Sequence, residues 1–286
     1  ELVPRIKEAF PLEEVTVLHG LTDGTYKRTP LTIATTHQML RFYHAFDVLI
    51  VDEVDAFPYS NSDMLQFAVH RAVKPTGRLV FMTATPSKLE LYKIQHHQLS
   101  YSLLPARFHQ HPLVVPLFKE LRNWDRALEE KKIPQELYLW MKKRLDEKTP
   151  FLVFVSTIGQ IPAVEEMMSL AFPNARFSSV SSQEEQRQER IQQMRDGKLD
   201  FLITTTILER GVTFYGIDVA VIEAQEEIFT REVLVQIGGR VGRNVDHPGG
   251  EVVYFYEGMS RAMKQAKKEI ESLNEEARKR GLIEGD

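Results

Sequence analysis

Two stretches of this chain set chemically active side chains at the ends of apolar runs. Val48, Leu49, Ile50 and Val51 read as a buried strand that delivers Asp52, Glu53, Val54 and Asp55 at its carboxyl end, the edge at which open α/β sheets hold ligands. An acid in that place can orient Mg²⁺ on phosphate oxygens, and a neighbouring acid can position the attacking water; Asp52 and Glu53 suit those two roles. An ordinary acidic turn after a strand has the same pattern, so this spacing alone leaves both readings open. The next strand ends in Thr83, Ala84, Thr85 and Pro86. Its two hydroxyls either hydrogen-bond the carboxylates or cap the helix that follows Pro86.

The second stretch is Gln236, Ile237, Gly238, Gly239, Arg240, Val241, Gly242 and Arg243. Drawn as a continuous helix, it puts Gln236, Arg240 and Arg243 on one face and Val233, Ile237 and Val241 on the next. Each glycine costs about 1 kcal/mol against alanine in a helix interior, so three of them ask for a packing or close-approach reason. The planar guanidinium forks suit phosphate, and the bland alternative is a surface helix with two solvated arginines. Thr204, Thr205 and Thr206 end another apolar run and lead into Glu209, Arg210, Gly211, Val212 and Thr213. Ala34, Thr35, Thr36 and His37 make the matching tip earlier in the chain, after His19 and Gly20 end the run before it. Hydroxyls and amides at such tips can hold a nucleic-acid phosphate, although a threonine run also has plain strand propensity. His96, His97, His109 and His111 do not have a spacing that implies a metal site.

The elements that must position these groups alternate between short β-branched runs and helical patterns, which is the signature of parallel strands joined by crossover helices. Strands are predicted at 15–18, 31–35, 48–51 and 78–82, and again at 151–155, 201–205, 219–223 and 252–256. The spacing Leu137, Trp140, Met141, Leu145 makes one helical stripe. Ser182 and Glu185 have capping-box spacing ahead of a polar helix ending near Asp196. We therefore expect an α/β protein with residues 1–104 as a first domain, 105–132 as a connection rich in proline, 133–258 as a second domain and 259–286 as a charged, solvated C-terminal helix. The length of 286 residues, at 43% hydrophobic and 27% charged, supports two globular cores. Zero cysteines exclude disulfides and thiolate zinc within these residues. The formal net charge of −4 gives no bulk attraction to nucleic acid, so any such contact has to be local. No apolar run approaches the ~20 residues of a membrane span.

Taken in order, DEVD at 52–55, TAT at 83–85, TTTILERGVTF at 204–214 and QIGGRVGR at 236–243 resemble motifs II, III, V and VI of superfamily-two helicases. The resemblance implies two RecA-like domains with mostly parallel sheets and ATP bound between them. It implies Mg²⁺ and water at Asp52 and Glu53, coupling of hydrolysis to movement by Asp55, Thr83 and Thr85, and arginine fingers at Arg240 and Arg243 beside Gln236. It implies nucleotide contacts at Gly211 and Thr213 and DNA-backbone contacts at Thr35, Thr36, Thr204 and Thr205. The runs DEVDAFPYSNS, LPARFHQHPL and SSQEEQRQERIQQMRDGKLDFLITTTILERGVTF are similar to the late-competence ComFA family. That likeness implies an ATP-dependent translocase moving single-stranded DNA, with a membrane DNA-uptake channel and other competence proteins as partners and a cytoplasmic place, at the inner face of the membrane. The primosomal replication-restart helicases resemble the same motifs, and a nucleotide-independent binding module is the alternative from another class. No GxxxxGK[ST] occurs, and the chain starts without methionine. The expectation is a first domain truncated at its N-terminus, with the phosphate loop and a four-cysteine zinc module in a preceding part, and a fragment inactive alone.

Overall fold

The computed structural model describes residues 2–20, 27–181, 186–206 and 212–283. The chain divides into two compact units, Glu1–Ser102 and Leu103–Asp286, each of which is described by itself.

In the first unit, helix α1 (Leu2–Ala9) precedes strand β1 (Val15–Leu18), which pairs in parallel with β2 (Leu31–Ala34). A 3₁₀ turn over Thr36–Arg41 leads to β3 (Phe46–Val51), which pairs in parallel with β4 (Val73–Phe81) through the crossover helix α2 (Asp63–Ala72). All four predicted strands are present, as two separate two-stranded ladders. Ser62 starts α2 by accepting a hydrogen bond from the Leu65 amide, and α2 buries Leu65, Ala68, Val69 and Ala72 against Leu49 and Val51 of β3. Helix α3 (Lys88–Gln95) starts with a capping box between Ser87 and Glu90.

The second unit holds a six-stranded, all-parallel sheet in the order β5-β10-β9-β6-β8-β7. Its strands are β5 (Leu117–Glu120), β6 (Phe151–Phe154), β7 (Phe177–Val180), β8 (Phe201–Thr204), β9 (Asp218–Val221) and β10 (Val252–Tyr256). Its helices are α4 (Trp124–Glu129), α5 (Gln135–Glu147), α6 (Ile161–Ala171), α7 (Arg187–Arg195), α8 (Arg231–Gly238) and α9 (Arg261–Lys279). Alternate residues of the central strands feed two cores. Leu152, Phe154, Val219, Val221 and Tyr254 pack with α7, α8 and α9, whereas Phe151, Val153, Phe201, Ala220 and Phe255 pack with α5 and α6. Strands buried on both faces read as continuous apolar runs, which is why these were visible in the sequence.

Three features differ from expectation. The stretch 105–132 is not a bare connection: it supplies β5 and α4, and Leu121 and Trp124 are buried in the second core. Pro105, Pro112 and Pro116 precede β5 rather than interrupt it, so the prolines do not prevent pairing. The charged tail is not a solvated face all round, because α9 buries Met263, Ala266, Ile270 and Ala277 along one stripe. Strand β7, FSSV, went unseen, and Ser182 and Glu185 lie outside the described residues. Among the described residues no helix is long and apolar enough to cross a membrane.

Candidate functional site

The acids of the first unit leave β3 at its carboxyl end, as the alternation of Leu49 and Val51 into the core requires. The pairing of β3 with β4 continues past both strands: Met82 N donates to Val51 O (2.8 Å) and Val54 N to Met82 O (3.0 Å). This keeps the acidic turn beside the threonines. Asp52 and Glu53 are exposed, and the Asp52 carboxylate accepts the Glu53 amide at 2.9 Å. Glu53 has φ 50°, a left-handed conformation that costs a non-glycine residue about 1 kcal/mol, and strain of this kind collects at working sites.

Asp55 points back toward β4. Thr83 Oγ1 donates to Asp55 Oδ1 (2.7 Å), Thr85 Oγ1 donates to Asp55 Oδ2 (3.3 Å), and Thr85 N donates to Thr83 Oγ1 (3.0 Å). The two hydroxyls therefore bind carboxylate, while Ser87 caps the following helix. These bonds tie the acidic turn to the end of β4. Thr35 is exposed at the carboxyl end of β2, its amide donating to Leu18 O at 3.1 Å, and Thr36 opens the 3₁₀ turn.

In the second unit the arginines are not on one continuous helix. Helix α8, capped by Thr230, ends at Gly238, and residues 239–242 form turns. Gly242 has φ 70°, and a Cβ there would collide with Pro248 O, so only glycine fits. Gly238 lets α8 approach the sheet and α9, since a Cβ would sit 3.4 Å from Tyr254 Oη and 3.5 Å from Ile270 Cδ1. Arg240 is only 2% exposed and one of its Nη atoms donates to Val212 O. Arg243 is half-buried, its Nε donating to Gly239 O at 2.9 Å, and Gln236 is half-buried on the last turn of α8.

Thr204 lies within β8, fully buried, with its hydroxyl donating to Val180 O at 2.9 Å. Its hydroxyl thereby joins β8 to the end of β7. Thr205 is buried at the strand end, Thr213 is half-buried and its carbonyl accepts from Arg195 Nε (3.1 Å). Gly211 lies outside the described residues. Sequence reasoning missed Arg107, which donates to Gly239 O (2.9 Å), Val241 O (2.7 Å) and Gly242 O. Its signals in the sequence were a proline-rich stretch and its place in the run LPARFHQHPL. His109, weighed for metal, instead meets Gly242 O through Nε2 at 3.0 Å. Burial holds its pKa below the ordinary imidazole value. Among the described residues no cluster of three or more His, Cys, Asp or Glu could hold a metal ion. Two carboxylates beside a phosphate and water remain a normal Mg²⁺ arrangement, because that ion keeps several waters.

The opposite, amino edge of the second sheet has a different character. A cleft of about 690 Å³ there is lined by Tyr138, Arg176 and Asp200, and Arg144 lies buried between Asp218 (2.9 Å) and Glu251 (2.7 Å). Arg176 pairs with Asp200 at 2.5 Å and Lys142 with Asp146 at 2.6 Å.

Residues 130–245 match the model of the helicase conserved C-terminal domain. The chain is 44% identical to competence protein ComFA of Streptococcus pneumoniae, over 97% of this chain and 64% of that protein. It is 42% identical to competence protein ComFA of Bacillus subtilis, over 98% of this chain and 60% of that protein. The chain is ComFA-like, with a superfamily-two helicase C-terminal domain. It spans just under two thirds of the length of these curated relatives. The fold of this ComFA-like chain is that of RecA-like helicase domains: Saccharomyces cerevisiae Dbp5, in a structure bound to RNA and ADP BeF3, superimposes with a TM-score of 0.63 at 16% identity, over 94% of this chain and 68% of that chain.

Proposed function

We propose that this chain forms most of the two-domain motor of an ATP-dependent single-stranded DNA translocase that serves DNA uptake. Bound Mg²⁺–ATP supplies the phosphoanhydride bond, and its phosphate loop would come from sequence beyond residues 1–286, since no GxxxxGK[ST] occurs within them. Asp52 would hold the metal and Glu53 would orient the water and accept its proton at the carboxylate. Asp55, joined to Thr83 and Thr85, would carry a change at the acidic turn to β4. Gln236, Arg240 and Arg243 would answer the charge on the nucleotide, Arg243 first because it is the less buried of the two arginines. Gly211 and Thr213 would complete the nucleotide contacts, and Thr35, Thr36, Thr204 and Thr205 would meet the DNA backbone. The partners would be a membrane uptake channel and other competence proteins on its cytoplasmic side.

The observation that most supports this reading is the convergence of Thr83 and Thr85 on Asp55 beside two exposed carboxylates. A positioned base contributes about 10²–10⁴-fold to such a step. In the full-length protein, Glu53→Gln should therefore lower single-stranded-DNA-stimulated ATP hydrolysis by about 100-fold or more while nucleotide binding persists. Residues 1–286 alone should show no such hydrolysis. Wild-type turnover in Glu53→Gln, or DNA uptake that survives it in cells, would reject the motor and favour a nucleotide-independent binding role.

A further inference from the structure

Residues 103–116 form neither helix nor strand, yet they are tied down along their length. Arg280 Nη1 donates to Leu103 O at 2.9 Å. The Asn274 side chain accepts from Leu113 N (2.7 Å) and donates to Leu113 O (2.8 Å), as a neighbouring strand would. Between these anchors Arg107 spreads its guanidinium over the turn that follows α8. Nη2 donates to Gly239 O at 2.9 Å, and Nη1 donates to Val241 O at 2.7 Å and to Gly242 O. His109 Nε2 meets the same Gly242 carbonyl at 3.0 Å.

The last carbonyls of α8 at Val235, Ile237 and Gly238 are taken by the amides of Gly239, Arg240 and Val241, whereas those of Gly239, Val241 and Gly242 lie in the turn beyond the helix, where a buried cation with several donors can satisfy them. Arginine fits better than lysine, because one planar fork can serve carbonyls that point in different directions. The turn is shaped around the guanidinium: Gly242 takes φ 70°, and a Cβ on it would sit 3.1 Å from Arg107 Nη1. Burial, and then the neighbouring charge of Arg243, lower the Arg107 pKa to about 10, which leaves it protonated at neutral pH.

We propose that Arg107 is a positioning residue for Arg240 and Arg243, holding the turn over residues 239–242 so that both guanidiniums leave the end of α8 in fixed directions. Its consequence for turnover rests on the motor reading given above; the clamp itself does not.

Two measurements test it. In residues 1–286, Arg107→Ala should speed backbone amide exchange across 238–249 by about tenfold or more, equivalent to about 1.4 kcal/mol of local opening, while β6, β8 and β9 keep their protection. In the full-length protein the same change should lower kcat at saturating ATP and single-stranded DNA by about tenfold, with KM for ATP within about threefold. Arg107→Lys should recover part of kcat, since an ammonium reaches some of the three carbonyls. Unaltered exchange over 238–249 overturns the proposal, and so does wild-type kcat in Arg107→Ala when Arg240→Ala is inactive. If wild-type protein shows no DNA-stimulated hydrolysis, the motor reading falls and the exchange result still decides whether Arg107 holds the turn.

Discussion

The sheets of the two units use the same kind of strand, short, parallel and β-branched, and cover them differently. In the second unit both faces are buried, one by α7, α8 and α9 and the other by α5 and α6. In the first unit one face of the β3–β4 ladder, with Leu49 and Val51, lies under α2. The other presents Val48, Ile50 and Val80 at 56%, 59% and 42% exposure. Parallel sheets ordinarily need cover on both sides. The difference teaches where these residues bury their sheets: on both faces in the second unit, and on one face in the ladder that carries the exposed acids.

The largest effect should come from the doubly covered sheet. Phe201 stacks on Phe151 at 4.8 Å and on Phe177 at 4.7 Å between ring centroids. Phe201→Ala should cost about 3–5 kcal/mol. The protein has two tryptophans, Trp124 and Trp140, both buried in this core, so urea unfolding followed by tryptophan fluorescence reports on the second unit directly. A loss below about 1 kcal/mol would break the comparison.

Asn274→Ala comes next. It leaves the Leu113 amide and carbonyl without their side-chain partners, and should destabilise the second unit by about 2 kcal/mol in the same fluorescence assay. A change within ~0.5 kcal/mol would mean that the other ties, the Arg280–Leu103 bond among them, hold residues 103–116 without Asn274. In the first unit, Thr83→Val removes one of the two hydroxyls on Asp55. Because that pair is only half-buried, the cost should be about 1 kcal/mol, read as faster amide exchange at Val54. Unchanged exchange would show that the ladder bonds between Val51, Met82 and Val54 suffice without it.

How much of this was legible in the sequence follows the same contrast. Doubly buried strands such as FLVF at 151–154 declare themselves because every residue is apolar. The edge strands β5 (LFKE) and β7 (FSSV) do not, because an edge position tolerates polar residues and one exposed side. The acids and threonines were readable as a pair since strand ends fix their edge, and the Thr83–Asp55 bond needs only adjacent strands. The break after Gly238 was not readable from helical spacing, which carries no sign that the turn's carbonyls meet Arg107, more than 100 residues earlier in the chain. The end of β8 was hidden for a related reason: a threonine run gives no sign of which hydroxyl is the last inside the strand.

The smallest effect should lie on the uncovered face. Ile50→Thr keeps a β-branched side chain with good strand propensity, and 59% exposure leaves little burial to lose. Its cost to the first unit should stay below about 0.5 kcal/mol. The matching change Leu49→Thr, one residue away and facing α2, should cost several times more, because there a hydroxyl enters an apolar cluster without a partner. Amide exchange across β3 and β4 separates the two, as both tryptophans lie elsewhere. Binding of a hydrophobic dye should fall in Ile50→Thr, since Val48, Ile50 and Val80 form one patch. Equal costs at positions 49 and 50 would mean that both faces of this ladder are packed, and the contrast between the units would then be lost.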